Sequence, residues 1–237
     1  MLTPFYQDEL VRLYCGKCES ILPQLEVRAD LLLTDPPYGI GYFVKEAIVG
    51  YGNRRIKRGG HERIEGDDRP FDPLPFVKYG IAIVMWGANY YHTRLPEGSG
   101  WIIWDKTGGG RGPDNNFADV EIAWSNIGKQ PQIFRHLWKG LVRDSEAGEK
   151  VLHPTQKPLA LMKWCIEKYS ERGQLILDPF AGSGTTLVAA KLLGRPSIGI
   201  EMNEKYCQMI VDRLNKPIPL FEREAEQTEL PLAATGI

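Results

Sequence analysis

The tetrapeptide Asp35-Pro36-Pro37-Tyr38 combines residue types that suit chemistry on an amino group. The exocyclic amino group of a nucleic-acid base is a poor nucleophile because its lone pair is delocalised into the ring. The Asp35 carboxylate and the Pro36 carbonyl would accept hydrogen bonds from its two N–H bonds and polarise the nitrogen. Proline fixes its own φ and restricts the residue before it, so both acceptors would be held rigidly. Tyr38 adds an aromatic face on which an extruded base would stack.

A second group of residues has the pattern of a nucleoside site. The segment DPFAGSGTT (178–186) follows a predicted strand and opens a predicted helix. Its glycines let the backbone approach a ligand closely, and the helix start offers free N–H groups to a carboxylate. Glu201 ends the next predicted strand, where a carboxylate commonly accepts the two hydroxyls of a ribose.

The glycine pattern excludes two common nucleotide sites. A dinucleotide fingerprint would favour a third glycine at position 187, which is leucine, and a phosphate-binding loop would need a lysine after Gly184. What remains fits a nucleoside that carries a small charged amino-acid group. A tight strand–helix turn without a ligand is the alternative that this motif leaves open.

Three motifs in order resemble those of the amino-methylating DNA methyltransferases: TDPPYG (34–39), HPTQKP (153–158) and DPFAGSGTT. The catalytic motif precedes the cofactor motif, as in the permuted group often called beta. The resemblance covers roughly residues 10–214. It implies an α/β methyltransferase fold, whose seven-stranded, mostly parallel sheet includes an antiparallel strand and carries helices on both faces. It also implies S-adenosylmethionine as the cofactor.

The resemblance also assigns roles to individual residues by their position in these motifs. The target base would be handled by Asp35, Pro36, Pro37 and Tyr38. The cofactor pocket would be lined by Asp178, Phe180, Ala181, Gly182, Gly184, Thr185 and Glu201. Near the methionine end of the cofactor would lie His153, Thr155 and Lys157.

Strand and helix patterns alternate near the C-terminal end, which predicts a parallel sheet with helices on both faces. We expect one methyltransferase domain over residues 1–216 and an exposed tail over 217–237. The candidate insertions for DNA recognition are residues 41–70, mostly loop, and residues 107–150. Within the second insertion, alternating stretches predict two antiparallel strands, at 119–126 and 132–138.

The distribution of charge says more about a DNA partner than the total does. The net charge is −1, from 29 basic and 30 acidic residues. Residues 51–63, here called the basic segment, carry Glu62 as their single acidic residue. Local basic patches are typical of phosphate binding, so we expect DNA contacts from Arg54, Arg55, Lys57 and Arg58.

The acidic tail contains the hexapeptide Gln227–Leu232, QTELPL, which resembles the short motif by which bacterial proteins dock on the replication sliding clamp. A solvated tail without a partner is the alternative, since threonine stands where the motif usually has leucine.

No apolar stretch approaches the ~20 residues that cross a bilayer, and the N-terminus has no secretion signal. We therefore expect a cytoplasmic monomer or homodimer that binds no membrane. Cys15 and Cys18 form a C-x-x-C, but the other two cysteines provide no second pair of zinc ligands, so no metal is expected.

Several activities share this site chemistry. The cytosine-N4 enzymes of the family often have serine at the position of Asp35, so aspartate favours N6 of a flipped-out adenine as the target. N4 of cytosine, an RNA base, a protein amide, or a DNA-binding module without catalysis are the alternatives. Carbon-5 cytosine methylation is excluded, because it needs a cysteine nucleophile, typically after proline, and no cysteine in this chain follows proline.

Overall fold

The computed structural model describes residues 2–41, 48–51, 54–57, 66–97, 100–110, 118–139, 142–146 and 156–216, with the backbone alone for 48–51 and 54–57. Within these residues the strands are β1 (Tyr6–Gln7), β2 (Val11–Cys15), β3 (Ala29–Thr34), β4 (Ile48–Tyr51), β5 (Arg54–Lys57), β6 (Gly80–Trp86), β7 (Gly100–Asp105), β8 (Val120–Ser125), β9 (Gln132–Arg135), β10 (Trp138–Lys139), β11 (Val142–Arg143), β12 (Ile176–Asp178) and β13 (Ser197–Glu201). The helices are α1 (Cys18–Leu25), α2 (Leu74–Val77), α3 (Leu159–Tyr169), α4 (Thr185–Leu192) and α5 (Glu204–Leu214).

One large sheet organises the described part of the chain, in the order β1-β2-β13-β12-β3-β6-β8-β7-β9. The five strands from β2 to β6 in this order are parallel to their neighbours. β8 is antiparallel to both β6 and β7. The expected α/β sheet, mostly parallel with an antiparallel strand, is therefore confirmed. It has nine strands where seven were expected, because the short strands β1 and β9 extend its two edges.

The strands expected at 119–126 and 132–138 are β8 and β9, and they run in opposite directions. They are not neighbours, because β7 lies between them, antiparallel to β8 and parallel to β9. Alternation of apolar and polar residues shows which face of a strand is buried, but it does not show which strand lies beside it.

Helices cover both faces of the sheet, which is why the central strands are apolar throughout. In β3, Leu31 and Leu33 pack with α3 and α4, while Leu32 faces the opposite layer with α1 and α2. All three leucines are fully buried. Parallel strands buried on both faces read as continuous apolar runs, in agreement with the sequence ADLLLT. The tryptophans Trp86 and Trp104 are also core residues.

The carboxyl ends of the parallel strands meet at one edge of the sheet. Asp35 follows β3, Asp178 ends β12, Glu201 ends β13 and Gly87 follows β6. Because β8 is antiparallel, its first residues lie at the same edge, and these include Glu121. This edge is where ligands bind in open α/β sheets.

Both candidate insertions contain strands among their described residues. Strands β4 and β5 form an antiparallel hairpin within residues 41–70. Residues 107–150 supply β8 and β9 to the central sheet and the short hairpin of β10 and β11. Among the described residues, no helix is long and apolar enough to cross a membrane.

Candidate functional site

Asp35 lies at the centre of a compact polar site just beyond β3. Its Oδ1 accepts a hydrogen bond from the Tyr38 hydroxyl at 2.5 Å, and its Oδ2 pairs with the Lys157 ammonium. The Tyr38 ring stacks on Tyr90, with centroids 4.9 Å apart and planes 17° apart, and nearly half of the Tyr90 surface is exposed. Pro36 is buried and Pro37 half-buried. The tetrapeptide therefore places the Asp35 carboxylate at this edge of the sheet, together with the aromatic pair that Tyr38 forms with Tyr90.

Backbone contacts hold the tetrapeptide in place. Asp67 is buried, and its Oδ1 accepts from the Gly39 N–H at 2.6 Å, while its backbone oxygen accepts from the Gly41 N–H at 2.8 Å. Gly87, with φ +77, supports the other side: a Cβ there would lie 1.9 Å from Cε1 of Tyr38. Glycine is required at position 87 both by the left-handed backbone and by the closeness of the ring.

Asp178 links the two halves of the site. Its Oδ1 accepts from the Thr34 hydroxyl at 2.7 Å and from the Phe180 N–H at 3.1 Å. Thr34 precedes Asp35, and β12 pairs directly with β3. Burial raises the pKa of Asp178 to about 6, and the hydrogen bonds to its carboxylate only partly oppose that rise. The strand that carries the glycine-rich motif is thus fastened to the strand that carries the tetrapeptide.

Glu201 closes the glycine-rich loop from the neighbouring strand. Its Oε2 accepts from the Gly182 N–H at 2.8 Å and its Oε1 from the Asn203 N–H at 2.8 Å. Burial raises the pKa of this carboxyl to about 7. Gly184, with φ +75, stands at the start of α4, where a Cβ would lie 2.8 Å from Ile210.

The other residues of the glycine-rich motif pack around the same loop. The Phe180 ring packs against Phe71 and Phe76 at centroid distances of 5.6 and 5.1 Å. Ala181 is buried, and its N–H donates to the Ile200 carbonyl. Thr185 is buried, and its hydroxyl accepts from Arg213 at 3.1 Å. An apolar ring, a carboxylate and a helix start suit the base, the ribose and the amino-acid end of a nucleoside ligand.

A cluster of charges adjoins Asp35 that sequence patterns did not predict. Lys157 Nζ lies 3.1 Å from Glu121 Oε2 and 3.2 Å from the Tyr38 hydroxyl. Lys106 Nζ lies 2.8 Å from Glu121 Oε1. Lys157 was expected near the methionine end of a cofactor, and the structure places its ammonium against Asp35.

Comparison with known proteins agrees with the site. The family model described as DNA methylase matches residues 115–212. The type II methyltransferase M2.MboI of Moraxella bovis is 32% identical over 270 aligned residues, which span 95% of this chain and 96% of that protein. The chain belongs to the amino-methylating DNA methylase family.

Two solved structures show the fold of this DNA methylase. The M1.HpyAVI–SAM complex is 22% identical, with a TM-score of 0.53, and the alignment spans 87% of this chain and all of that one. The cytosine-N4-specific PvuII DNA methyltransferase is 17% identical, with a TM-score of 0.58 and 93% of each chain aligned. The resemblance inferred from the three motifs is confirmed by the family model and by M2.MboI, and the M1.HpyAVI structure holds S-adenosylmethionine, the cofactor that this resemblance implies.

Some predicted site residues of the DNA methylase lie outside the described residues. These are His153, Thr155, Arg58 and the docking hexapeptide Gln227–Leu232. Arg54, Arg55 and Lys57 lie on β5, of which the backbone alone is described. Their contacts with cofactor, DNA or a clamp stay predictions. The other predicted residues line the sheet edge described above, and their individual roles are proposed below.

Proposed function

We propose that this DNA methylase transfers the methyl group of S-adenosylmethionine to N6 of a flipped-out adenine in DNA. The observation that carries the proposal is the placement of Asp35 directly after β3, the strand next to β12, with Thr34 bonded to Asp178. The group to be methylated and the methyl donor would meet across two adjacent strand ends. A base must leave the duplex to reach such a site.

The tetrapeptide would bind and polarise the amino group. The Asp35 carboxylate retains lone pairs beyond those used by Tyr38 and Lys157, since each carboxylate oxygen accepts about two hydrogen bonds. Asp35 and the Pro36 carbonyl would accept the two N–H bonds and so concentrate the lone pair on nitrogen. Proton transfer from the methylated nitrogen to Asp35 would complete the reaction, with release of the proton to solvent.

The cofactor residues would bind and orient the methyl donor. Glu201 would accept the ribose hydroxyls, Phe180 would line the adenine, and the start of α4 at Thr185 would face the carboxylate. Gly182 keeps the loop close to Glu201 through its 2.8 Å hydrogen bond. When bound, S-adenosylmethionine supplies an activated sulfonium methyl, so transfer depends mainly on placement of the reacting atoms.

Adenine is proposed over cytosine because the first residue of the tetrapeptide is aspartate. Both bases present an amino group beside a ring nitrogen acceptor, so the pocket chemistry described above suits either. Aspartate at this position is the feature that favours adenine, because the cytosine-N4 enzymes of the family often carry serine there.

The test is to identify the methylated nucleoside. DNA containing all four bases is incubated with the protein and S-adenosylmethionine labelled in the methyl group, then digested to nucleosides and separated by chromatography. We expect label in N6-methyldeoxyadenosine; label in N4-methyldeoxycytidine would overturn the adenine assignment, and no label in DNA would overturn the function.

A variant pair tests the role of Asp35. Asp35→Ala should abolish methyl transfer while cofactor affinity, measured by calorimetry, stays within a few-fold of the unaltered protein. Asp212→Ala, the same substitution at an exposed position on α5, is the matched control and should leave turnover unchanged. Near-normal turnover of Asp35→Ala would contradict the proposed mechanism.

A further inference from the structure

Four charged side chains of alternating sign form a chain beside the tetrapeptide. Lys157 pairs with Asp35 and with Glu121, and Glu121 pairs in turn with Lys106. The exposed fraction of the side chain is 6% for Lys157, 12% for Lys106, 17% for Asp35 and 26% for Glu121. Charges that are largely shielded from water interact more strongly than exposed ones, because the local dielectric constant is lower.

The position of Lys157 is set by the backbone around it. Glu146 Oε2 accepts from the N–H of Leu159 at 3.0 Å, and Glu146 Oε1 lies 3.5 Å from the side-chain nitrogen of Gln156. One residue on each side of Lys157, Gln156 before it and Leu159 two positions after it, is thus bonded to the same carboxylate. Lys157 is held at Asp35 by these anchors as well as by its ion pairs.

Glu121 is the member of the cluster that β8 contributes. It lies near the start of β8, which is antiparallel to its two neighbours and so begins at the edge where β3 ends. Lys106 follows β7 and approaches the second oxygen of Glu121. The cluster therefore joins three strands and the segment before α3 around one carboxylate.

We propose that Lys157 and Glu121 are positioning residues that together control the charge of the Asp35 carboxylate during methyl transfer. The proposal rests on the proposed function, in which Asp35 accepts hydrogen bonds from the target amino group. Lys157 favours the anionic form of Asp35 that can accept these bonds. Glu121 opposes Lys157 and gives the ammonium a second partner.

Titratable groups from several elements face Asp35 and act on it with different signs. They are Tyr38 in its own loop, Lys157 before α3, Glu121 on β8, Tyr91 after β6 and Asp178 on β12. Burial raises the pKa of Asp35 above its ordinary value, Lys157 lowers it, and Glu121 raises it. The ionisation of Asp35 is thus a balance in which its two charged neighbours in the cluster have opposite effects.

Both of these neighbours remain charged at neutral pH. Burial lowers the pKa of Lys157, but Asp35 and Glu121 outweigh burial and raise it above its ordinary value. Burial raises the pKa of Glu121, but Lys157 and Lys106 outweigh burial and lower it to about 2.

The cluster also suits the proton balance of the reaction. The S–CH3 bond of the donor breaks, its electron pair stays on sulfur, and the amino nitrogen supplies the pair of the new N–CH3 bond. The nitrogen then loses one proton, which Asp35 accepts before it passes to water. When Asp35 becomes neutral, Lys157 keeps Glu121 as its counter-ion, so the buried ammonium is never without a partner.

The test compares pH profiles of kcat, measured with saturating DNA and S-adenosylmethionine so that ionisations of the free protein do not enter. Lys157→Met should move the acid limb to higher pH by about one unit or more, which is roughly a tenfold loss of kcat at a pH on that limb. Glu121→Gln should move the acid limb to lower pH. The double variant should lie between the two single variants.

Matched controls separate this effect from loss of structure. Lys129→Met, in the exposed turn after β8, and Glu167→Gln, on the exposed face of α3, should leave the limb in place. If Lys157→Met does not fold, the shift of Glu121→Gln to lower pH decides the question alone, because it preserves the shape of the side chain.

Two outcomes would be distinguishable. The proposed role of Lys157 and Glu121 would be overturned if the acid limb stayed unchanged in both single variants, or moved in the same direction in both. In that case the inactivity of Asp35→Ala would still support the proposed function. Activity retained in Asp35→Ala would overturn the proposed function itself.

Discussion

Replacement of Gly87 by alanine should impair catalysis by moving Tyr38. A Cβ at this position would lie 1.9 Å from Cε1, 2.3 Å from Cδ1 and 2.5 Å from Cζ of the Tyr38 ring. Ordinary carbon contacts are about 3.5–4.0 Å, so the ring would have to move by roughly 1.5–2 Å. That shift would take the Tyr38 hydroxyl out of hydrogen-bond range of Asp35, which it now contacts at 2.5 Å.

The size of the effect follows from two contributions. Alanine at a φ of +77 adds backbone strain of about 1–2 kcal/mol. Overpacking against the ring adds a further ~1–3 kcal/mol to the loss of stability. Misplacement of reacting groups by about 1 Å can lower a rate on the order of 100-fold, so we expect a loss of kcat of that order.

Gly173 provides the matched control, because its φ is +82 and a Cβ there would meet nothing within 4 Å. Gly173→Ala should carry the same backbone strain and retain full kcat. Single-turnover methyl transfer with labelled cofactor measures the rate, and urea unfolding measures the stability of both variants. Equal kcat values for Gly87→Ala and Gly173→Ala would refute the argument that Gly87 positions Tyr38.

Four further predictions concern the cofactor, the link between strands, the DNA and the tail. Because burial raises the pKa of Glu201 to about 7 and the ionised carboxylate is the better acceptor for hydroxyls, cofactor affinity should rise between about pH 6 and 8. Glu201→Gln should weaken binding and remove this dependence in calorimetry, and an unchanged dependence would exclude Glu201 as its source. Thr34→Val removes the hydroxyl that bonds the buried Asp178, which keeps the Phe180 N–H as a donor, and should lower the free energy of unfolding in urea by about 1–3 kcal/mol; an unchanged value would contradict the role of this link. Neutralising the four predicted DNA contacts of the basic segment should flatten the plot of log affinity against log salt by roughly 0.9 per lost phosphate contact, and an equal slope would remove the segment from the interface. A peptide of residues 221–237 should bind a cognate sliding clamp and lose binding when Gln227→Ala and Leu230→Ala are combined, whereas no binding at high micromolar peptide would contradict the docking prediction.

Motif spacing was sufficient to locate the strand ends of the site. Asp35, Asp178 and Glu201 each follow or end an apolar run, and parallel strands bring such ends to one edge. The sequence therefore predicted the fold class and the group of residues at this edge. It did so because each motif combines a strand, a turn and a functional side chain within a few residues.

Glu121 could not be found in this way. It occupies an alternating stretch, VEIAWS, that has the pattern of an ordinary strand. Its place at the site depends on the direction of β8 and on its position between β6 and β7, which are properties of sheet order. The contact of Lys157 with Asp35 likewise joins segments distant in the chain, and neither segment signals the other. The same lack of information about neighbours explains why β7 was not expected between β8 and β9.

The hydrogen bonds between Asp67 and residues 39–41 have a consequence for how members of such a family diverge. The segment between Gly41 and Asp67 includes β4 and β5, and these hydrogen bonds hold its two ends together next to the tetrapeptide. The free energy of closing a loop grows slowly with its length, by only about 0.6 kcal/mol for each doubling. Insertions, deletions or wholesale exchange of this segment would therefore leave the geometry of Asp35 intact. The length and sequence of this segment can therefore diverge between relatives while the chemistry at Asp35 stays the same.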